Sequence, residues 1–112
     1  MLFVGYQAPG TLGHVINAVI SQLQAQPEEC FFWATHSGAE LDLLVVRGRQ
    51  RLGFEFKRGT TPGVTRSMRV AMSDLGLRRL WVIHVGERAV DLGRQVRAIP
   101  LPRIVDELQP LR

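Results

Sequence analysis

Three residues of this chain carry charged groups at a spacing that suits chemistry: Asp42, Glu55 and Lys57. Asp42 lies in Ala39-Glu40-Leu41-Asp42-Leu43-Leu44-Val45-Val46, and Glu55 and Lys57 lie in Leu52-Gly53-Phe54-Glu55-Phe56-Lys57. Both segments read as strands by period-2 alternation, with acidic side chains set among Leu, Val and Phe. The link Arg47-Gly48-Arg49-Gln50 is short, polar and contains glycine, which predicts an antiparallel hairpin. A two-residue or a four-residue loop gives the same register. Asp42 then faces Glu55, Glu40 faces Lys57, Leu43 faces Phe54 and Leu41 faces Phe56. A slip by one residue would scramble both faces. One face becomes apolar (Leu41, Leu43, Val45, Leu52, Phe54, Phe56), and the other gathers Glu40, Asp42, Glu55 and Lys57 at one end.

Facing residues in such a pair hold their Cβ atoms roughly 4.5–5.5 Å apart. Asp42 and Glu55 repel at that distance unless a positive charge lies between them. A proton that raises one pKa, the Lys57 ammonium or a divalent cation would each serve. Mg²⁺ accepts one or two carboxylates with waters filling its other sites, and so held it polarises a phosphoryl oxygen and activates bound water. Lys57, on the same face, would orient that water or steady developing charge. The plain alternative is a solvated cross-strand ion pair between Glu40 and Lys57, worth about 0–1 kcal/mol.

The 112 residues suit one domain, 1–112, with 46% hydrophobic and 21% charged content, ordinary for a folded globule. The net charge of +4 is carried by arginine, for 13 of the 14 basic residues are Arg and Lys57 is the only lysine. Arginine suits phosphate, because its planar fork binds oxygens in pairs. Arg51, Arg58, Arg66 and Arg69 are the candidate nucleic-acid contacts. Cys30, the single cysteine, allows no internal disulfide and reads as a buried apolar residue beside Phe31-Phe32-Trp33. His14, His36 and His84 are scattered and read as surface or capped residues. No stretch approaches the about 20 apolar residues of a membrane span, and the first residues lack a signal pattern. A cytoplasmic protein without membrane contact is the expectation.

Residues 1–10 read as a loose entry segment. Thr11 is expected to cap a helix to about Gln24, with Leu12, Val15, Ile16, Val19, Ile20 and Leu23 on one stripe. Phe31–Thr35 reads as a first strand. Thr61 is the expected cap of a second helix starting at Pro62, striped by Val64, Met68, Ala71, Met72 and Leu75 and ended by Gly76. Leu80–Val85 reads as an interior strand, 88–94 as irregular, Val96–Ile99 as a short edge strand and Ile104–Leu108 as helical turns. The order is α-β-β-β-α-β-β-α, an α/β fold with a mixed sheet. The third and fourth strands should be parallel across the second helix, and the helices' choice of face is left open.

That order, with an acid on the second strand and Glu-x-Lys on the third, resembles the core of the PD-(D/E)xK, or restriction-endonuclease-like, superfamily. More narrowly, residues 33–42 and Gly53-Phe54-Glu55-Phe56-Lys57-Arg58 look like the C-terminal domain of a bacterial and archaeal family of AAA-type ATPases. Its usual strings are Gly-x-Glu-Val-Asp and Ile-Glu-Val-Lys, and the similarity covers about Gly10 to Val85. The resemblance implies Asp42 and Glu55 as ligands of Mg²⁺ (or Mn²⁺), the Phe56 carbonyl as a third ligand and Lys57 as the catalytic amine. Glu40 matches the Glu of the first string and is an additional candidate. The implied partners are nucleic acid, DNA first, and an ATPase, with room for a homodimer.

Two departures stand out. The superfamily supplies a further Glu from the first helix, and here Leu12 and Asn17 occupy the two places where Glu is expected. No Gly-x-x-x-x-Gly-Lys-[Ser/Thr] occurs, so the chain carries no P-loop. The readings are a Mg²⁺-dependent nuclease, a catalytically degenerate module that binds DNA or protein, or a remnant whose carboxylates pair with arginines.

Overall fold

In the computed structural model, which describes residues 2–4, 10–60 and 62–112, seven strands form one mixed sheet with helices on both faces. In chain order the elements are β1 (Leu2–Val4), α1 (Gly10–Leu23), β2 (Cys30–Ala34), β3 (Glu40–Arg47) and β4 (Gln50–Phe56). Then follow α2 (Arg66–Leu75), β5 (Arg79–His84), β6 (Val90–Asp91), β7 (Val96–Pro100) and α3 (Ile104–Glu107). The sheet order is β1-β2-β3-β4-β5-β7-β6. The strands β1 to β4 are antiparallel neighbours, whereas β4, β5 and β7 run parallel. Among the described residues, no helix is long and apolar enough to cross a membrane.

From Leu43–Phe54 through Val45–Leu52 to Arg47–Gln50 the hairpin register is the expected one, across a two-residue loop, but the expected pairs Asp42–Glu55, Leu41–Phe56 and Glu40–Lys57 are not part of the β3–β4 ladder. Gly48 takes φ 59° there, a left-handed conformation that side chains disfavour. The helices settle on opposite faces. Ile16, Val19 and Leu23 of α1 pack with Leu43, Val45, Phe54, Ile83 and Ile99. Met68 and Ala71 of α2 pack with Leu41, Leu44, Leu80, Val82 and Ala98. The hairpin is therefore covered on both sides, and Leu43, Leu44 and Val45 are consecutively buried.

Leu41 departs from the expected face. Between the paired positions Phe31–Leu44 and Trp33–Leu41, β2 advances two residues while β3 advances three. The extra residue is a bulge at Asp42–Leu43, and it turns Leu41 to the α2 side.

Three boundaries also differ from expectation. Residues 2–4 form β1 on β2, where a loose segment was expected, and α1 already begins at Gly10, so Thr11 lies inside the helix. The second helix begins at Arg66, not Pro62, with Thr65 Oγ1 accepting the Met68 N–H at 3.2 Å. Gly63 disfavours helix by about 1 kcal/mol relative to alanine, and Thr65 supplies a cap beyond it; Thr61 lies outside the described residues. Gly76 ends the helix at φ 59° as expected. Third, β7 is interior rather than an edge, because Val90–Asp91, in a stretch expected to be irregular, forms the outer strand against it.

Candidate active site

The site forms at one end of the sheet, where the bulge of β3 meets the carboxyl ends of the parallel strands β4 and β5. Past Leu43–Phe54 the Asp42 side chain takes over from the backbone ladder, its Oδ2 accepting the Phe56 N–H at 2.9 Å. One step further, the Lys57 N–H donates to the Ile83 carbonyl at 2.8 Å. Glu-x-Lys is thus clamped from both sides, by β3 through a carboxylate and by β5 through a carbonyl. A cavity of about 300 Å³ opens here, and Asp42, Glu55, Phe56, Lys57 and Arg58 all line it. Leu12 and Val15 of α1, Ile83 and His84 of β5, Val85 and Leu101 complete its wall.

Glu55 is only 8% exposed. Burial pushes its pKa up to about 9, and a hydrogen bond with Asp42, the Asp42 charge and the Glu40 charge push the same way, against the opposing pull of Lys57. At neutral pH Glu55 therefore carries a proton, and Asp42 is its hydrogen-bond partner.

The donor set fits a hard divalent cation in part. Asp42 and Glu55 offer two carboxylates and Phe56 a carbonyl, a set that Mg²⁺ completes with water. Among the described residues, no three His, Cys, Asp or Glu side chains converge into a ready cage. Leu12, one of the two positions where the resemblance led to the expectation of Glu, is part of the cavity wall itself, while Asn17 is exposed on α1. Helix α1 thus lines the cavity with Leu12 and Val15 and brings no carboxylate to it.

The remaining candidates separate. Glu40 is exposed, pairs with Ala34 of β2 and does not line the cavity, though its charge reaches Glu55. Among the described residues, Lys57 takes part in no ion pair, so the Glu40–Lys57 bridge is not formed. Arg58 is exposed at the cavity, and Arg66 and Arg69 are exposed on α2, with Arg69 Nη1 3.3 Å from the Val64 carbonyl. Arg51 sits at the far end of β4, opposite Val46, where its Nη1 donates to the Leu75 carbonyl at 2.9 Å and caps α2. The structure thus brings Arg58 to the site and leaves Arg51 with helix α2. Cys30 is buried as expected, its Sγ 3.4 Å from the Gln26 carbonyl, and burial pushes its thiol up to about 11.

His84 is a site residue that the sequence alone does not single out. It is 2% exposed, not on the surface, and it lines the same cavity. The signal was the parallel pairing of β4 and β5, whose carboxyl ends form the usual crevice of an α/β sheet. Continued past Phe56–Ile83, that register sets Lys57 beside His84.

Comparison with known proteins returns a family of unknown function. The DUF4143 domain model matches residues 13–104. The uncharacterized proteins Mb2031c of Mycobacterium bovis and Rv2008c of Mycobacterium tuberculosis are each 42% identical over 100 residues, which covers 83% of this chain. The chain spans 23% of the length of either relative.

Proposed function

The chain belongs to the DUF4143 family, and we propose that its Asp42–Glu55–Lys57 cavity is a nuclease-like site that binds nucleic acid and hydrolyses phosphodiester bonds with Mg²⁺ or Mn²⁺. The observation that carries this reading is the convergence of Asp42, the buried Glu55 and the chain's only lysine on one cavity at the end of parallel strands. The likeness of strand acid and Glu-x-Lys to the restriction-endonuclease-like core supports it, as does the α/β sheet with helices on both faces.

In this reading Asp42 and Glu55, as carboxylates, would hold the cation, with the Phe56 carbonyl as a further oxygen. A bound divalent cation supplies Lewis-acid stabilisation of phosphoryl charge and lowers the pKa of water. Lys57 orients the attacking water and offsets the negative charge that grows on the phosphorane. Arg58, exposed at the cavity, contacts a backbone phosphate, with Arg66 and Arg69 as outer contacts on α2. DNA is the first substrate to test, in a cytoplasmic setting. An ATPase partner and a homodimer are further proposals from the same resemblance.

A second reading, binding of nucleic acid without cleavage, is favoured by one observation: Leu12 in the cavity wall in place of a carboxylate. Plasmid DNA incubated with the protein and Mn²⁺ separates the two. Cleavage that disappears in Lys57→Ala and Asp42→Asn supports hydrolysis. Salt-sensitive binding with no cleavage by the unaltered chain supports the binding module.

A further inference from the structure

His84 ends β5, is buried, and is one of the residues that line the cavity shared by Asp42, Glu55 and Lys57. Val82 packs on the α2 side of the sheet, so alternation puts His84 on that side as well, in line with Glu55, which faces Val82 across the parallel pair. The ring is held firmly. The Gly86 N–H donates to Nδ1 at 2.9 Å, and a Cβ at Gly86 would stand 3.0 Å from Nδ1 and 2.7 Å from the Thr60 carbonyl oxygen. Only glycine lets the backbone come this close.

That contact decides the chemistry of the other nitrogen. Because Nδ1 presents its lone pair to Gly86, the neutral ring carries its proton on Nε2. Nε2 so protonated is a donor and has no lone pair to offer a cation, which excludes it as a metal ligand in this arrangement. Yet Nε2 is buried and has no hydrogen-bond partner among the described residues. Buried donors are seldom left bare, so this N–H calls for an acceptor. Phosphate oxygens are strong anionic acceptors, and Lys57 and Arg58 give the same cavity its positive charge.

We propose that the Nε2–H of His84 binds a non-bridging phosphate oxygen of the nucleic-acid strand seated in this cavity. The inference takes its ligand class from the nuclease-like reading of the site. It adds a neutral donor that positions the phosphate against the Asp42–Glu55 pair without competing for the cation.

The test is made on the whole, ¹⁵N-labelled chain by imidazole ¹H–¹⁵N correlation spectroscopy, with inorganic phosphate and then a dinucleoside monophosphate, each with and without Mg²⁺. The expected result is an Nε2–H tautomer for His84 at the outset, with a proton resonance that moves on addition of either ligand. His84→Gln, which keeps an N–H donor, should retain dinucleotide binding to within about threefold, and His84→Phe should lose about tenfold, as for one hydrogen bond to a charged group. An Nδ1–H tautomer, or a His84 resonance indifferent to both ligands, overturns the proposal. The unaltered chain alone decides this, whatever the variants do to folding. Loss of Mn²⁺ binding and cleavage with a responsive His84 would instead remove the nuclease reading and leave the phosphate donor standing.

Discussion

Asp42 Oδ2 accepts the backbone N–H of Phe56 at 2.9 Å, so the acid of one strand is tied to the residue between Glu55 and Lys57 of the next. The bulge at Asp42–Leu43 makes this possible, by ending the regular ladder one pair before the site and freeing the carboxylate to replace a backbone acceptor. Asp42 therefore has a structural task beside the chemical one proposed for it, and substitutions can part them. Asp42→Asn keeps an oxygen for the Phe56 amide and should cost about 1 kcal/mol or less, while abolishing Mn²⁺ binding. Asp42→Ala leaves that amide without its acceptor and should cost about 1–3 kcal/mol in urea unfolding.

The raised pKa of Glu55 makes stability depend on pH. Its carboxyl titrates at about 9 in the folded chain and at 4.5 without that environment, so between these values the folded chain keeps a proton that the unfolded chain has lost. This contribution is fully present below about pH 4.5 and is lost as pH rises through about 9. Glu29 acts in the opposite sense: hydrogen bonds from Arg47 and from the Gln26 backbone lower it to about 2, so its contribution holds above 4.5 and fades as pH falls towards 2. Melting temperatures from pH 4 to 9.5 should fall with pH in the native chain, and the slope should flatten in Glu55→Gln. Mn²⁺, which displaces the same proton, should bind more tightly as pH rises.

Leu12 offers a gain-of-function test. A carboxylate introduced by Leu12→Glu enters the cavity wall and raises the ligand charge available to a cation, so Mn²⁺ affinity should rise by about tenfold. Asn17→Glu places its charge on an exposed position of α1 and should leave affinity unchanged. Calorimetric titration of both variants measures the contrast.

The arginines should divide by location. If Arg58 contacts a phosphate at the cavity as proposed, Arg58→Ala should weaken DNA binding and flatten its dependence on log salt by about one. Arg51→Ala should leave DNA binding alone and cost about 0.5–1.5 kcal/mol, because its guanidinium serves the last turn of α2. Filter binding across a salt series, with unfolding curves for each variant, distinguishes them.

The hairpin register was legible in the chain because Leu43, Val45, Leu52 and Phe54 must share one buried face, and a slip of one strand would part them. Helix α1 and the end of α2 at Gly76 were legible for similar local reasons, an apolar stripe and a left-handed stop. What escaped depends on partners distant in sequence. The bulge arises from how β2 lies on β3, and nothing in Glu40–Arg47 alone reveals the extra residue or sends Leu41 to the other face. Strands β1 and β6, of three and two residues, are too short to show a period. Thr61 and Thr65 both suit a cap for α2 by residue type, and the helix takes the later one. His84 looked ordinary because the apolar run Leu80–Val85 does not show how far it reaches along β4, even with the parallel pairing expected.

The central claim is that Asp42 and Glu55 exchange a shared proton for a divalent cation, and a crystal soaked in Mn²⁺ tests it most directly. The account expects an anomalous peak bonded to both carboxylates at about 2.0–2.3 Å, beside the Phe56 carbonyl and within reach of Lys57 through water. A saturating soak that shows Asp42 and Glu55 still joined by their hydrogen bond, with no ion between them, would contradict it.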